Sequence, residues 1–83
     1  MLATTEAMIQ KTPGVQGGDA CIRNTRIPVW GLVAYRQLGV TDDGLLKYYP
    51  ESITREDLAA AWDYYAQFPE EIDEAIRDNE SAE

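Results

Sequence analysis

The sequence predicts a mostly α-helical domain preceded by a short β-pair. Three observations carry that expectation. Helix-start signals recur at Pro28, Thr41 and Thr54; apolar residues follow each of them at helical spacing; and a glycine-rich turn, Gly14 to Gly18, separates two short apolar runs near the N-terminus. At 83 residues the chain falls in the range of one small domain. A domain of this size buries only about 60% of its unfolded surface, so a second copy would help it considerably. A single domain over 1–83 that forms a homodimer is the expectation.

The elements follow in order. Ala7 to Lys11 is a short extended run, ended by Thr12-Pro13-Gly14 and Gly17-Gly18, and Cys21-Ile22-Arg23 reads as a second strand. The two form a hairpin or an intersubunit strand pair, since an isolated two-stranded hairpin is marginal in water. Pro28 suits the start of a first helix, Val29 to Leu38, because its missing N–H is an unsatisfied donor there anyway. Gly39 stands where such a helix stops. Thr41 caps a second helix with Asp42 and Asp43 in its first turn, and Pro50 ends it. Thr54 caps a third, in which Leu58, Ala61, Trp62 and Tyr65 recur at i, i+3, i+4 and i+7. These residues and Phe68 form its expected core or dimer face, and Phe68-Pro69 ends it. A last helix, Glu70 to about Asp78, presents Ile72, Ala75 and Ile76 on one side, and its tip from Asn79 is expected to fray. The layout is a strand pair and basic turn over 7–28, a three-helix core over 29–68, and an acidic helix and tail over 69–83.

Composition excludes several classes. With 45% hydrophobic and 10% aromatic residues the chain is too apolar to be disordered. Without histidine, and with Cys21 as its only cysteine, it can form neither a histidine-based triad nor an internal disulfide. The acid pairs Asp42/Asp43 and Glu56/Asp57 sit in first helical turns, where dipole and capping effects account for them. The expectation is therefore no enzyme, no metal and no cofactor. No run approaches the roughly 20 apolar residues that span a bilayer. A reduced, cytoplasmic setting without membrane contact is expected.

Charge is distributed unevenly. Residues 1–41 carry four cations and two anions, a net of +2, whereas residues 42–83 carry three cations and thirteen anions, a net of −10. Between Asp19 and Asp42 no carboxylate accompanies Arg23, Arg26 and Arg36. Either an acidic surface simply keeps the protein soluble, or two surfaces serve partners of opposite charge.

The second and third helices have the order and length of a helix-turn-helix. In a DNA-reading version Thr54 and Arg55 would lie near bases and Lys47 near a phosphate, although Glu56 and Asp57 would repel the backbone. The run from Pro13 to about Ala66 resembles the domain-of-unknown-function family 433. The resemblance rests most on Gly17-Gly18, Thr25-Arg26-Ile27-Pro28-Val29, Tyr49-Pro50 and Thr54 to Ala61. Ala20 and Asn24 depart from the family pattern, which has proline and glycine there. The resemblance implies a homeodomain-like or winged-helix-like helix-turn-helix bundle, often dimeric. It also implies an antitoxin-like role opposite a PIN-like ribonuclease toxin, and binding of its own operator DNA through the helix-turn-helix completes the leading expectation.

On that basis Arg23 and Arg26 are candidate phosphate contacts. The alternative is structural: both would bond to carbonyls of the glycine turn or to carboxylates of a neighbouring chain. Arg36 reads as a stem packed on the core with a surface salt bridge. Glu70, Glu71, Ile72, Asp73, Ala75 and Ile76 are the candidate toxin-binding residues, a narrow apolar stripe edged by acids. A protein-interaction module without DNA affinity is the alternative function.

Overall fold

The chain, in a computed structural model that describes residues 8–11, 14, 18–23 and 25–81, is mostly helical with a two-stranded hairpin at its N-terminus. Ala7, Thr12, Pro13, Gly17 and Asn24, which the sequence reading places in a strand and turns, lie outside the described residues. Strand β1 is Ile9–Lys11 and β2 is Ala20–Ile22, paired antiparallel with Ile9 opposite Ile22 and Lys11 opposite Ala20. The strands therefore pair within one chain. All three residues of β2 are buried, but only Ile9 of β1 is, so β2 lies inside and β1 forms the rim.

The segment after β2 folds back on it. The Ile22 N–H donates to the Ile27 carbonyl at 2.9 Å, and the Thr25 hydroxyl donates to the Ile22 carbonyl at 2.7 Å while accepting from the Ile27 N–H at 3.1 Å. This loop delivers Pro28 in an extended conformation to cap helix α1, Val29–Gln37. The helix stops at Gly39 with φ of 98°, where the N–H groups of Gly39 and Val40 return to the carbonyls of Arg36 and Tyr35. Only a residue free of a Cβ takes that left-handed turn without strain.

Helix α2, Asp42–Tyr48, is capped by the Thr41 hydroxyl, which accepts from the Gly44 N–H. Helix α3, Arg55–Gln67, opens with a full capping box: Thr54 Oγ1 accepts from the Asp57 N–H at 3.2 Å and Asp57 Oδ2 accepts from the Thr54 N–H at 2.9 Å. Helix α4, Pro69–Ser81, begins one residue earlier and runs three residues further than the sequence reading. Pro69 is its first residue, where proline is favoured, and helix persists through Asn79 to Ser81.

One core runs through every element: Ile9, Ala20, Ile22, Val29, Leu32, Val33, Leu45, Ile53, Leu58, Ala61, Tyr64 and Ile72 all contribute. Helix α1 packs on both α3 and α4, and β2 lies against α1. The buried side of α3 differs from the expected one. Ala60 and Tyr64 join Leu58 and Ala61 there, whereas Trp62 and Tyr65 lie at its margin and Phe68 is exposed. The polar ends of the aromatics explain the rotation. The Trp62 indole N–H donates to Asp42 and the Tyr65 hydroxyl to Asp73, so each ring sits where its apolar body is covered and its tip finds a partner. Arg36 stacks its guanidinium 4.5 Å from the Trp62 ring centre, a cation–π contact.

Candidate functional site

The folded-back loop after β2 faces the turn between α2 and α3 across a cleft of about 650 Å³. Arg23, Thr25, Arg26 and Ile27 line one side, and Glu51, Ser52, Thr54 and Asp57 line the other. Each side is fixed by local bonding. Thr25 ties the loop to β2, and the capping box holds Thr54 and Asp57 at the start of α3.

Asp57 is the unusual member, a carboxylate only 3% exposed. Its Oδ2 belongs to the capping box, and its Oδ1 lies 3.4 Å from Arg23 Nε without making a hydrogen bond. The Arg23 side chain is half exposed and lines the cleft. Arg26 is exposed, and no carboxylate of the described residues pairs with it.

The other candidate residues are placed as follows. Arg55 pairs with Asp43 across the α2–α3 corner, both side chains largely exposed. Lys47 is exposed near the end of α2 and has no ion-pair partner among the described residues. On α4, Ile72 is a core residue, Ala75 and Ile76 are half-buried, and Glu70 is exposed. Glu71 accepts from the Tyr64 hydroxyl at 2.9 Å and pairs with Lys11 at 3.1 Å, and Asp73 accepts from Tyr65 at 2.8 Å. The apolar stripe of α4 thus faces its own domain, and two of its flanking acids are tied to α3 and β1. The structure brings Arg23, Arg26 and Thr54 to one cleft, whose lining includes neither Lys47 nor Arg55.

Titration follows this bonding. Hydrogen bonding to Glu71 raises the Lys11 ammonium above the usual lysine value. Burial, with help from Glu71, raises the Tyr64 phenol, and the bond to Asp73 raises Tyr65. Burial also raises Tyr49 and the Cys21 thiol.

Sequence reasoning missed Thr25, Ser52 and the burial of Asp57. Thr54 signalled a helix start, but no local pattern shows that Asp57 is buried or that it meets an arginine 34 positions earlier. At a second surface, where the sequence left Tyr48 and Tyr49 open as an interface pair, Leu38 and Trp30 went unread. Leu38, 81% exposed, borders a groove of about 400 Å³ with Trp30, Tyr35 and Tyr49, and Tyr48 stands beside it with its ring edge-on to both tyrosines.

The comparisons with known proteins agree with this fold. The family model described as protein of unknown function, DUF433, matches residues 9–65, well over half of the chain. The crystal structure of a DUF433 member protein from Anabaena variabilis is similar at 64% sequence identity and a TM-score of 0.81. The match covers 84% of this chain and 68% of that one. No curated protein matches. Among the described residues no helix is long and apolar enough to cross a membrane.

Proposed function

The chain belongs to the DUF433 family, and on that premise we propose that it acts by binding another protein, as the antitoxin-like member of a toxin–antitoxin pair. The observation that carries this reading is the internal engagement of four of its seven cations. Lys11, Arg23 and Arg55 are ion-paired within the chain and Arg36 lies on Trp62, while acids exceed bases by eight. Such a surface repels nucleic acid and attracts a basic protein face, such as the RNA-binding face of a PIN-like ribonuclease. Leu38 and the neighbouring tyrosines supply the apolar and aromatic anchors that dominate binding energy at protein interfaces. Cytoplasmic action and assembly as a homodimer belong to the same proposal, the latter supported by the small core.

The test is co-expression with a nuclease-like protein encoded in the adjacent reading frame. Wild type should restore growth and co-purify with it, and Leu38→Asp should lose both while keeping its melting temperature. Absence of any complex from the purified pair would overturn the proposal. Sedimentation equilibrium at micromolar concentration tests the dimer, and a folded monomer would remove it.

Operator binding is the second reading, favoured by the helix-turn-helix order of α2 and α3 and by Arg26 and Lys47, which have no ion-pair partner among the described residues. Titration against the chain's own upstream region at low salt tests it. Two phosphate contacts would give a salt slope of only about 2.

A further inference from the structure

From the aromatic groove beside Leu38 we infer that this protein has a binding site for a guanidinium group, filled by an arginine side chain on the basic face of its partner, a site that rests on the protein-binding function just proposed. Helix α1 is apolar on two sides. Val29, Leu32 and Val33 enter the core, while Gly31, Ala34, Tyr35 and Leu38 recur on the opposite side and line the groove. Trp30 and Tyr49 complete its aromatic lining. The groove holds about 400 Å³, room for a long side chain, and no charged residue lines it among the described residues.

Hydrogen bonds and ring contacts hold the aromatics in place. The Trp30 indole N–H donates to Asp19 Oδ2 at 3.1 Å, and the Tyr35 hydroxyl donates to the Tyr48 hydroxyl at 3.4 Å. Tyr48 stands edge-on to Tyr35 and Tyr49, with ring centres 5.4 and 5.0 Å away. Rings already arranged in this way lose little freedom when a ligand arrives.

Asp19 selects the charge of the occupant. Its side chain is exposed, makes no ion pair among the described residues, and touches the edge of Trp30, so a carboxylate borders the aromatic lining. A carboxylate accepts about four hydrogen bonds, and the indole uses one of them. Ring faces and a carboxylate both attract a cation and both repel an anion, and the net charge of −8 draws cations from a distance. Among cations, guanidinium is planar and weakly hydrated; it stacks on aromatic rings while its N–H groups donate to a carboxylate. The apolar stem of an arginine covers Leu38, which is otherwise 81% exposed. The chain makes the same kind of contact internally, where Arg36 lies 4.5 Å from the Trp62 ring centre.

The test is a titration of the full-length chain followed by amide and indole NMR, with blocked tripeptides carrying a central arginine, lysine, citrulline or leucine as separate probes. Citrulline keeps the shape of arginine without its charge. The arginine peptide should shift the Trp30 indole and the Leu38 amide to saturation, and bind about three- to thirtyfold tighter than the citrulline peptide, with lysine between them. Asp19→Asn keeps an acceptor for the indole N–H and removes the charge. It should weaken the arginine peptide about two- to fivefold while leaving citrulline binding and the melting temperature unchanged, a split that a merely structural aspartate would not produce. Trp30→Leu, measured where it is fully folded, should abolish the saturable shift at Leu38. Citrulline or leucine binding as tightly as arginine would overturn the cation and make the groove a plain apolar anchor. Groove signals that move with protein concentration in the absence of peptide would assign the face to a second copy instead. Saturation by single-stranded oligothymidine but not by arginine would assign the rings to base stacking, and no saturable shift with arginine would remove the site. The two proposals fail separately: a nuclease complex without an arginine response discards this site alone, and an arginine response without a nuclease complex discards the antitoxin-like role alone.

Discussion

Arg23 Nε lies 3.4 Å from Asp57 Oδ1, joining the end of β2 to the first turn of α3 across 34 positions of sequence. One partner is half exposed and the other buried, so the two ends of this pair differ in what their loss costs. Removing Asp57 also removes a cap, whereas removing Arg23 leaves a covered carboxylate oxygen without any cation. Asp57→Ala should cost about 2 kcal/mol and Arg23→Ala about 1–2 kcal/mol. Denaturant unfolding of both single variants and the double variant should return a coupling above about 0.5 kcal/mol. Strictly additive losses would show that the two residues act independently.

Arg55 offers the opposite case. Its pair with Asp43 is exposed at both ends, and such pairs are worth about 0–1 kcal/mol. Arg55→Ala should therefore unfold within about 0.5 kcal/mol of wild type. If the same variant loses about 1–3 kcal/mol of affinity at a preferred DNA site, the operator reading gains its base contact.

Helix α4 is bound into the fold through Ile72. Truncating this fully covered side chain to alanine should cost about 2–5 kcal/mol, a large fraction of what a domain of this size has in total. Deletion of residues 70–83 should accordingly unfold the remainder, seen as loss of the cooperative transition by circular dichroism. A truncated chain that still melts cooperatively would show that α4 is dispensable to the core.

Alkaline pH should destabilise the protein through Tyr64. Its phenol titrates higher in the fold than its ordinary value of 10.0, first because it is buried and then because it donates to Glu71. A group raised in the folded state contributes stability that is complete below its unfolded pKa and disappears as pH rises through the folded one. Stability should thus fall above about pH 10, with Lys11, also raised, losing its charge over the same range. Tyr64→Phe should flatten the decline, measured as midpoint denaturant concentration against pH. An unchanged slope would place the effect on Tyr49 and Tyr65 instead.

Helix starts were readable because their causes are local. Thr41 and Thr54 cap with their own side chains, Pro28 presets one dihedral, and Gly39 supplies the left-handed residue. The buried side of α3 was not readable to better than one residue. Trp62 and Tyr65 carry polar tips whose partners, Asp42 and Asp73, lie on other helices, and those bonds turn the stripe toward Ala60 and Tyr64. The candidate site was legible in its arginines, which stand out in an acidic chain. Its far wall was not, since Ser52 and Asp57 meet Arg23 and Arg26 only after α1 and α2 have carried the chain around.

Cys21 gives this fold an internal clock. Its thiol is 3% exposed in the middle of β2, its Sγ reaches the Asp19 carbonyl at 3.4 Å, and burial raises its pKa, so reagents cannot attack it in the closed state. Every labelling event at neutral pH must then pass through an opening of the hairpin. The labelling rate of a single native thiol therefore reports how often β2 leaves the core, without any introduced probe, and any ligand that grips the loop beside it should slow that rate.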